Sequence, residues 1–134
     1  MAKPTKRDIL RLRKAALDGM VSYMKYGAAE SESDPNFDPD FDAGYTQADI
    51  DRCARIIDGL LASLEDLPKG KRNESILKVV KAAVLKLNKL NDRCDGGLIE
   101  TDQREQLCEL IITAAKRAGL VSDVYDITEE WRAW

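Results

Sequence analysis

Histidine is absent from the 134-residue chain. That removes the side chain that most readily exchanges a proton near neutral pH, every Ser-His or Cys-His catalytic pair and every imidazole metal ligand. The Glu-x-x-His pairs that build di-iron sites in helical bundles go with it. Cysteine is limited to Cys53, Cys94 and Cys108, an odd and widely spaced set with no C-x-x-C pair. Each falls within an apolar helical pattern, so the three read as buried thiols in a reducing compartment rather than as zinc ligands or a disulfide framework. No apolar run approaches a membrane span, and the charges threaded through MAKPTKRDILRLRKAAL interrupt what a signal peptide would keep apolar. These absences point to a cytoplasmic protein that does not associate with membranes.

Hydrophobic residues at 44% and charged residues at 34% are ordinary globular values. A chain of this length buries roughly two thirds of the surface it would expose unfolded, which suits one core and a single domain over residues 1–134. Four helical stripes are legible. Ile9, Leu12, Ala16 and Met20, continued by Tyr23 or Met24, follow a cap pair at Thr5 and Asp8 and stop at Gly27. Ile50, Cys53 or Ala54, Ile57, Leu60 or Leu61 and Leu64 follow a second pair, Thr46 and Asp49, and stop before Pro68. After a short connector, PKGKRN, come Ile76, Val79 or Val80, Ala83, Leu87, Leu90 and Cys94, ending at Gly96 and Gly97. Thr101 is placed as the cap of the fourth, with Leu107, Ile111, Ala114 or Ala115 and Ala118 as its stripe and Gly119-Leu120 as a Schellman-type stop. The tail holds one further helical turn, beginning at Thr128. No strand alternation persists and no internal repeat is read. The expected fold is all-α: an antiparallel up-down four-helix bundle with a long acidic loop between helices one and two and a short C-terminal helical tail.

Charge is segregated along the chain. Residues 1–27 carry +5, 28–51 carry −8, 52–68 carry −1, 69–94 carry +6 and 95–134 carry −5. In an up-down bundle, helices one and three lie diagonally, so their basic faces point apart, and acidic segments flank each. A duplex binder needs one continuous basic surface, so nucleic acid is not the expected partner. Lys78, Lys81, Lys86, Lys89 and Arg93 read as the solvent face of helix three, needing no partner.

The loop from residue 28 to 45 is long for a compact domain, and loops of that length are usually functional or disordered. Within it, Asp38, Asp40, Asp42 and Asp49 match positions 1, 3, 5 and 12 of an EF-hand calcium loop. Position 6, where the chain must turn sharply, is Ala43, with Gly44 one place late, and position 12 is Asp rather than Glu. No metal ligand is therefore assigned, no catalytic residue is named, and no cofactor is implied. Phe37 and Phe41 are the only phenylalanines, both inside this acidic loop. Two arrangements fit them: anchors inside an acidic rim for a basic protein partner, or rings tucked over the end of the bundle. The same alternatives apply to Trp131 and Trp134, the only tryptophans.

ETDQREQLCELI, residues 100–111, and EEWRAW, residues 129–134, resemble small helical bacterial proteins of unassigned role, some of which are immunity partners of secreted toxins. The resemblance implies a non-catalytic, regulatory binding protein and transfers no functional residue. The functional expectation is a protein-binding module, in its sharpest form an immunity-type inhibitor that engages a basic partner through Phe37, Asp38, Asp40, Phe41 and Asp42, with Trp131 and Trp134 as a second contact. The alternative is a carboxylate-based divalent-cation-binding protein or metal-dependent enzyme. A homo-oligomer is a third reading.

Overall fold

The computed structural model describes residues 3–68 and 73–134. Among them there is no strand, and four helices supply most of the core: α1 (Lys6–Tyr26), α2 (Gln47–Asp66), α3 (Asn73–Arg93) and α4 (Thr101–Ala118). The PKGKRN connector falls largely outside the described residues. Each helix buries the stripe its periodicity marks. Ile9, Leu12, Ala16 and Met20 come from α1, and Ile50, Cys53, Ile57, Leu60 and Leu64 from α2. Opposite them lie Ile76, Val80, Val84 and Leu87 of α3 and Leu107, Leu110, Ile111 and Ala115 of α4. These side chains form one continuous apolar cluster.

The four helices pack as a bundle. α1 rests chiefly on α4 and α2 chiefly on α3, α2 also meets α4, and the α1 and α3 backbones do not approach each other among the described residues. Ion pairs fix the relative direction of α1 and α2. Lys6 faces Glu65 at 3.9 Å and Arg13 faces Asp58 at 2.7 Å, so numbers rise along one helix as they fall along the other. Among the described residues no helix is long and apolar enough to cross a membrane.

Local signals set most helix ends where the sequence puts them. At α1, Asp8 accepts the Thr5 N–H at 2.9 Å and Thr5 accepts the Asp8 N–H at 3.1 Å, a reciprocal capping box. At α2, Asp49 accepts the Thr46 N–H at 3.0 Å. α4 ends in a Schellman pair: Leu120 N–H reaches the Ala115 carbonyl at 2.9 Å and Gly119 N–H the Lys116 carbonyl at 3.0 Å. Its start differs from the expectation. Glu100 occupies the cap and Thr101 is the first helical residue. The C-terminal tail is a single turn rather than a helix, closed by Trp131 and Arg132 N–H groups on the Thr128 carbonyl at 3.0 and 2.9 Å. So short a segment does not hold a helix by its own hydrogen bonds.

Candidate functional site

The segment joining α1 to α2 has an order that the sequence reading missed. Residues 34–45 are three successive four-residue units, DPNF, DPDF and DAGY, each opening on Asp and closing on an aromatic ring. Each Asp accepts the N–H two residues on: Asp34 from Asn36 at 2.9 Å, Asp38 from Asp40 at 2.9 Å and Asp42 from Gly44 at 2.8 Å. These are Asx turns, the local geometry for which Asp is suited and which proline at the next position helps to set. In the first two units the aromatic N–H closes the turn onto the Asp carbonyl, Phe37 to Asp34 at 2.9 Å and Phe41 to Asp38 at 3.0 Å.

Each closing ring then meets α1. Phe37 packs edge-on to Tyr26 with centroids 6.3 Å apart, and Phe41 packs edge-on to Tyr23 at 5.4 Å. Tyr45, buried, donates its hydroxyl to the Met20 carbonyl at 2.8 Å. Burial raises the phenol's pKa well above its ordinary value, so it stays a donor. The contacts step back along α1 by three residues per unit, 26, 23, 20, about one helical turn each. Gly27 is required at this seam. Its φ is +60°, and a Cβ there would lie 2.9 Å from the Phe41 ring. Of the two arrangements open to the phenylalanines, the rings lie over the bundle's own end, half-buried, while Asp38, Asp40 and Asp42 are exposed.

The four carboxylates that match the calcium template do not converge. Asp38 and Asp42 bond their own backbone, while Asp49 holds Thr46 and pairs with Arg52 at 2.8 Å. The Thr46 N–H, then the Arg52 guanidinium, hold the Asp49 carboxyl below its usual range against the opposing effect of partial burial. Among the described residues, no group of three or more Cys, Asp or Glu side chains is placed to hold a metal ion.

The tryptophans are also half-buried against the chain's own core. Asn88 of α3 grips the tail like a strand partner, donating to the Trp131 carbonyl at 2.8 Å and accepting the Ala133 N–H at 2.9 Å. Asn73, at the start of α3, does the same to Val121: it accepts the Val121 N–H at 3.0 Å and donates to the Val121 carbonyl. Between the clamps, Asp126 accepts from the Thr128 N–H at 2.9 Å and pairs with Arg132 at 3.1 Å. Burial works to raise the Asp126 carboxyl, and the Thr128 and Arg132 hydrogen bonds outweigh it, leaving the carboxyl below its ordinary value. Asparagine on a helix reads as solvent-facing in a sequence, so neither clamp was legible there.

A basic groove is the third feature. It lies between α2 and α3, measures about 810 Å³, and is rimmed by Arg52, Arg55, Lys78, Lys86, Lys89 and Arg93. Ile56, Gly59, Val79 and Ala82 are part of its lining, which contains no carboxylate among the described residues. The sequence reading left the α3 lysines as an isolated solvent face and α2 as nearly neutral. The α3 cations are exposed, as expected, and the structure adds that α2 lends cations to the same groove, because Asp58 and Glu65 are turned elsewhere. Asp58 takes a two-point grip from Arg13 of α1 at 2.7 and 3.0 Å, and Glu65 lies between Lys6 and Arg117. Arg52 and Arg55 are left on the α3 side. Their spacing with Gly59 and Ser63 along one edge of α2 was the available signal.

No family model, curated protein or solved structure matches this chain.

Proposed function

We propose that the chain is a non-catalytic protein-binding module of the immunity type, an up-down bundle acting in a cytoplasm, whose acidic loop covers the basic surface of a partner protein. The observation that carries this reading is the threefold turn. It directs Phe37, Phe41 and Tyr45 onto α1 and leaves Asp38, Asp40 and Asp42 exposed on an ordered backbone. A surface already ordered before encounter loses less conformational freedom on binding, and eight carboxylates with no Lys or Arg between residues 28 and 51 steer a basic partner. Phe37 and Phe41 then serve as supports. Trp131 and Trp134, docked on the core, supply at most the rim of a contact. Three free thiols accord with a reducing compartment.

The test is capture from host lysate by the wild-type chain and by the Asp38→Asn, Asp40→Asn, Asp42→Asn triple variant. Asn keeps an acceptor oxygen for each Asx turn while removing the charge. A stoichiometric basic protein held by the wild type and absent from the variant supports the proposal. Equal capture by both removes the loop from it.

A further inference from the structure

The groove between α2 and α3 and the strip that follows α4 are complementary, and neither is satisfied within one chain. Five of the six rim cations have no ion-pair partner among the described residues, Arg52 alone being paired, with Asp49. The floor is apolar and recessed at Gly59. A glycine inside a helix costs about 1 kcal/mol relative to alanine. Here the fold gives no steric return for it: a Cβ on Gly59 meets no atom within 4 Å, and its φ is not among the positive ones. The open space above Gly59 leaves room there for a side chain from outside the monomer.

The chain itself carries matching chemistry. Val121, Val124 and Tyr125 are 79%, 61% and 86% exposed, the three most exposed large apolar side chains among the described residues. Asp123, Glu129 and Glu130 accompany them, all exposed. The Asn73 clamp holds the strip to α3 at Val121, and the Asn88 clamp holds the segment beyond it at Trp131 and Ala133. At 100° per residue, those asparagines and Leu77 lie on one side of α3, and the groove residues Val79, Ala82 and Lys86 lie on the other. Leu85, 43% exposed, stands on the ridge between them.

The geometry points to a second copy of this chain as the occupant of the groove. A twofold axis running parallel to α3 past Leu85 brings each copy's 121–130 strip to the other's groove, so the contact is self-complementary and closes at two chains. Valine and tyrosine fill the apolar floor, and the strip's carboxylates meet the cationic rim. A phosphate backbone would engage the rim and leave the floor and the Gly59 recess empty. This contact does not involve the acidic loop and goes beyond the function proposed above.

Sedimentation velocity over a concentration series decides it, on the wild type, Tyr125→Ser and Gly59→Leu, with folding of each checked by circular dichroism melts. Tyr125 is almost wholly exposed and Gly59 has open space above it, so both variants keep the fold. The expected result is a wild-type dimer that loosens as salt is raised, with the dissociation constant increased about tenfold or more in each variant. A wild type that stays monomeric at the highest concentration overturns the proposal. So does a dimer that either variant leaves unweakened, because strip and groove must meet each other. A monomer that takes up an acidic amphipathic peptide or an oligonucleotide in the same groove assigns the groove to that ligand instead.

Discussion

Asp126 joins three parts of the tail at once, through the Thr128 backbone, the Thr128 hydroxyl and the Arg132 guanidinium. Its carboxyl titrates below the ordinary 3.8 in the folded chain. A depressed folded value means that its contribution is present above the unfolded pKa and is lost as pH falls through the folded one. The only tryptophans, Trp131 and Trp134, report on the same segment. Tryptophan emission should therefore shift to the red as pH drops below about 4. Asp126→Asn should produce that shift at neutral pH and cost about 1–3 kcal/mol of local stability, the worth of a charge-assisted hydrogen bond. Unshifted emission in the variant would show that the carboxylate does not order the tail. The thiols give a second test at this scale. Burial pushes Cys53 up to about 12, so it should resist thiol reagents at neutral pH, whereas the half-exposed Cys108 should react first. Peptide mapping after brief alkylation reads the order. That the cysteines lie in apolar stripes was legible from spacing alone, but the Asn73 and Asn88 clamps were not, because their partners lie 48 and 43 residues away.

Among the elements, the helices were the most legible part. Their stripes, the Thr5 box and the Gly119 stop depend on neighbours within one or two turns, which a sequence displays directly. The acidic loop also depends on local chemistry, yet its period of four matches neither helix nor strand. DPNF, DPDF and DAGY therefore passed as solvated punctuation. Within that loop, order and charge belong to different side chains, and substitutions should separate them. Phe41→Ala removes a half-buried ring stacked edge-on to Tyr23 and should cost about 1–2 kcal/mol, with hydrogen exchange accelerated across residues 30–45. The Asp38, Asp40, Asp42 triple Asn variant should keep its melting free energy within about 0.5 kcal/mol, because the amide oxygens at 38 and 42 still accept their turn hydrogen bonds and the exposed Asp40 side chain closes no turn. Loss of loop protection in the Asn variant would mean that the charges, not the rings, hold the segment. In α2, Gly59→Ala should raise stability by about 0.5–1 kcal/mol, since the added methyl meets nothing and helix propensity improves. A fall in melting temperature would show that the recess is constrained within the monomer.

At the scale of the whole molecule, the lesson concerns charge. Summing charge by stretches of sequence shows the −8 block of residues 28–51 correctly, because every charged side chain in it has the same sign. The same sum hides the basic groove. α2 carries both signs and sends them to different edges, Asp58 and Glu65 toward α1 and α4, Arg52 and Arg55 toward α3. Only the packing of helices separates them. The molecule thus presents an acidic loop at the α1–α2 end and a basic groove along α2 and α3, and the proposed function rests on the first. Calorimetric titration of the captured basic partner against the wild-type chain and the triple Asn variant, each in rising salt, puts that to the proof. Binding by the wild type that weakens with salt, and at least about tenfold lower affinity in a variant with an unchanged melt, is what a steering acidic platform requires. Equal affinities for the two chains would mean that Asp38, Asp40 and Asp42 shape the loop and do not bind.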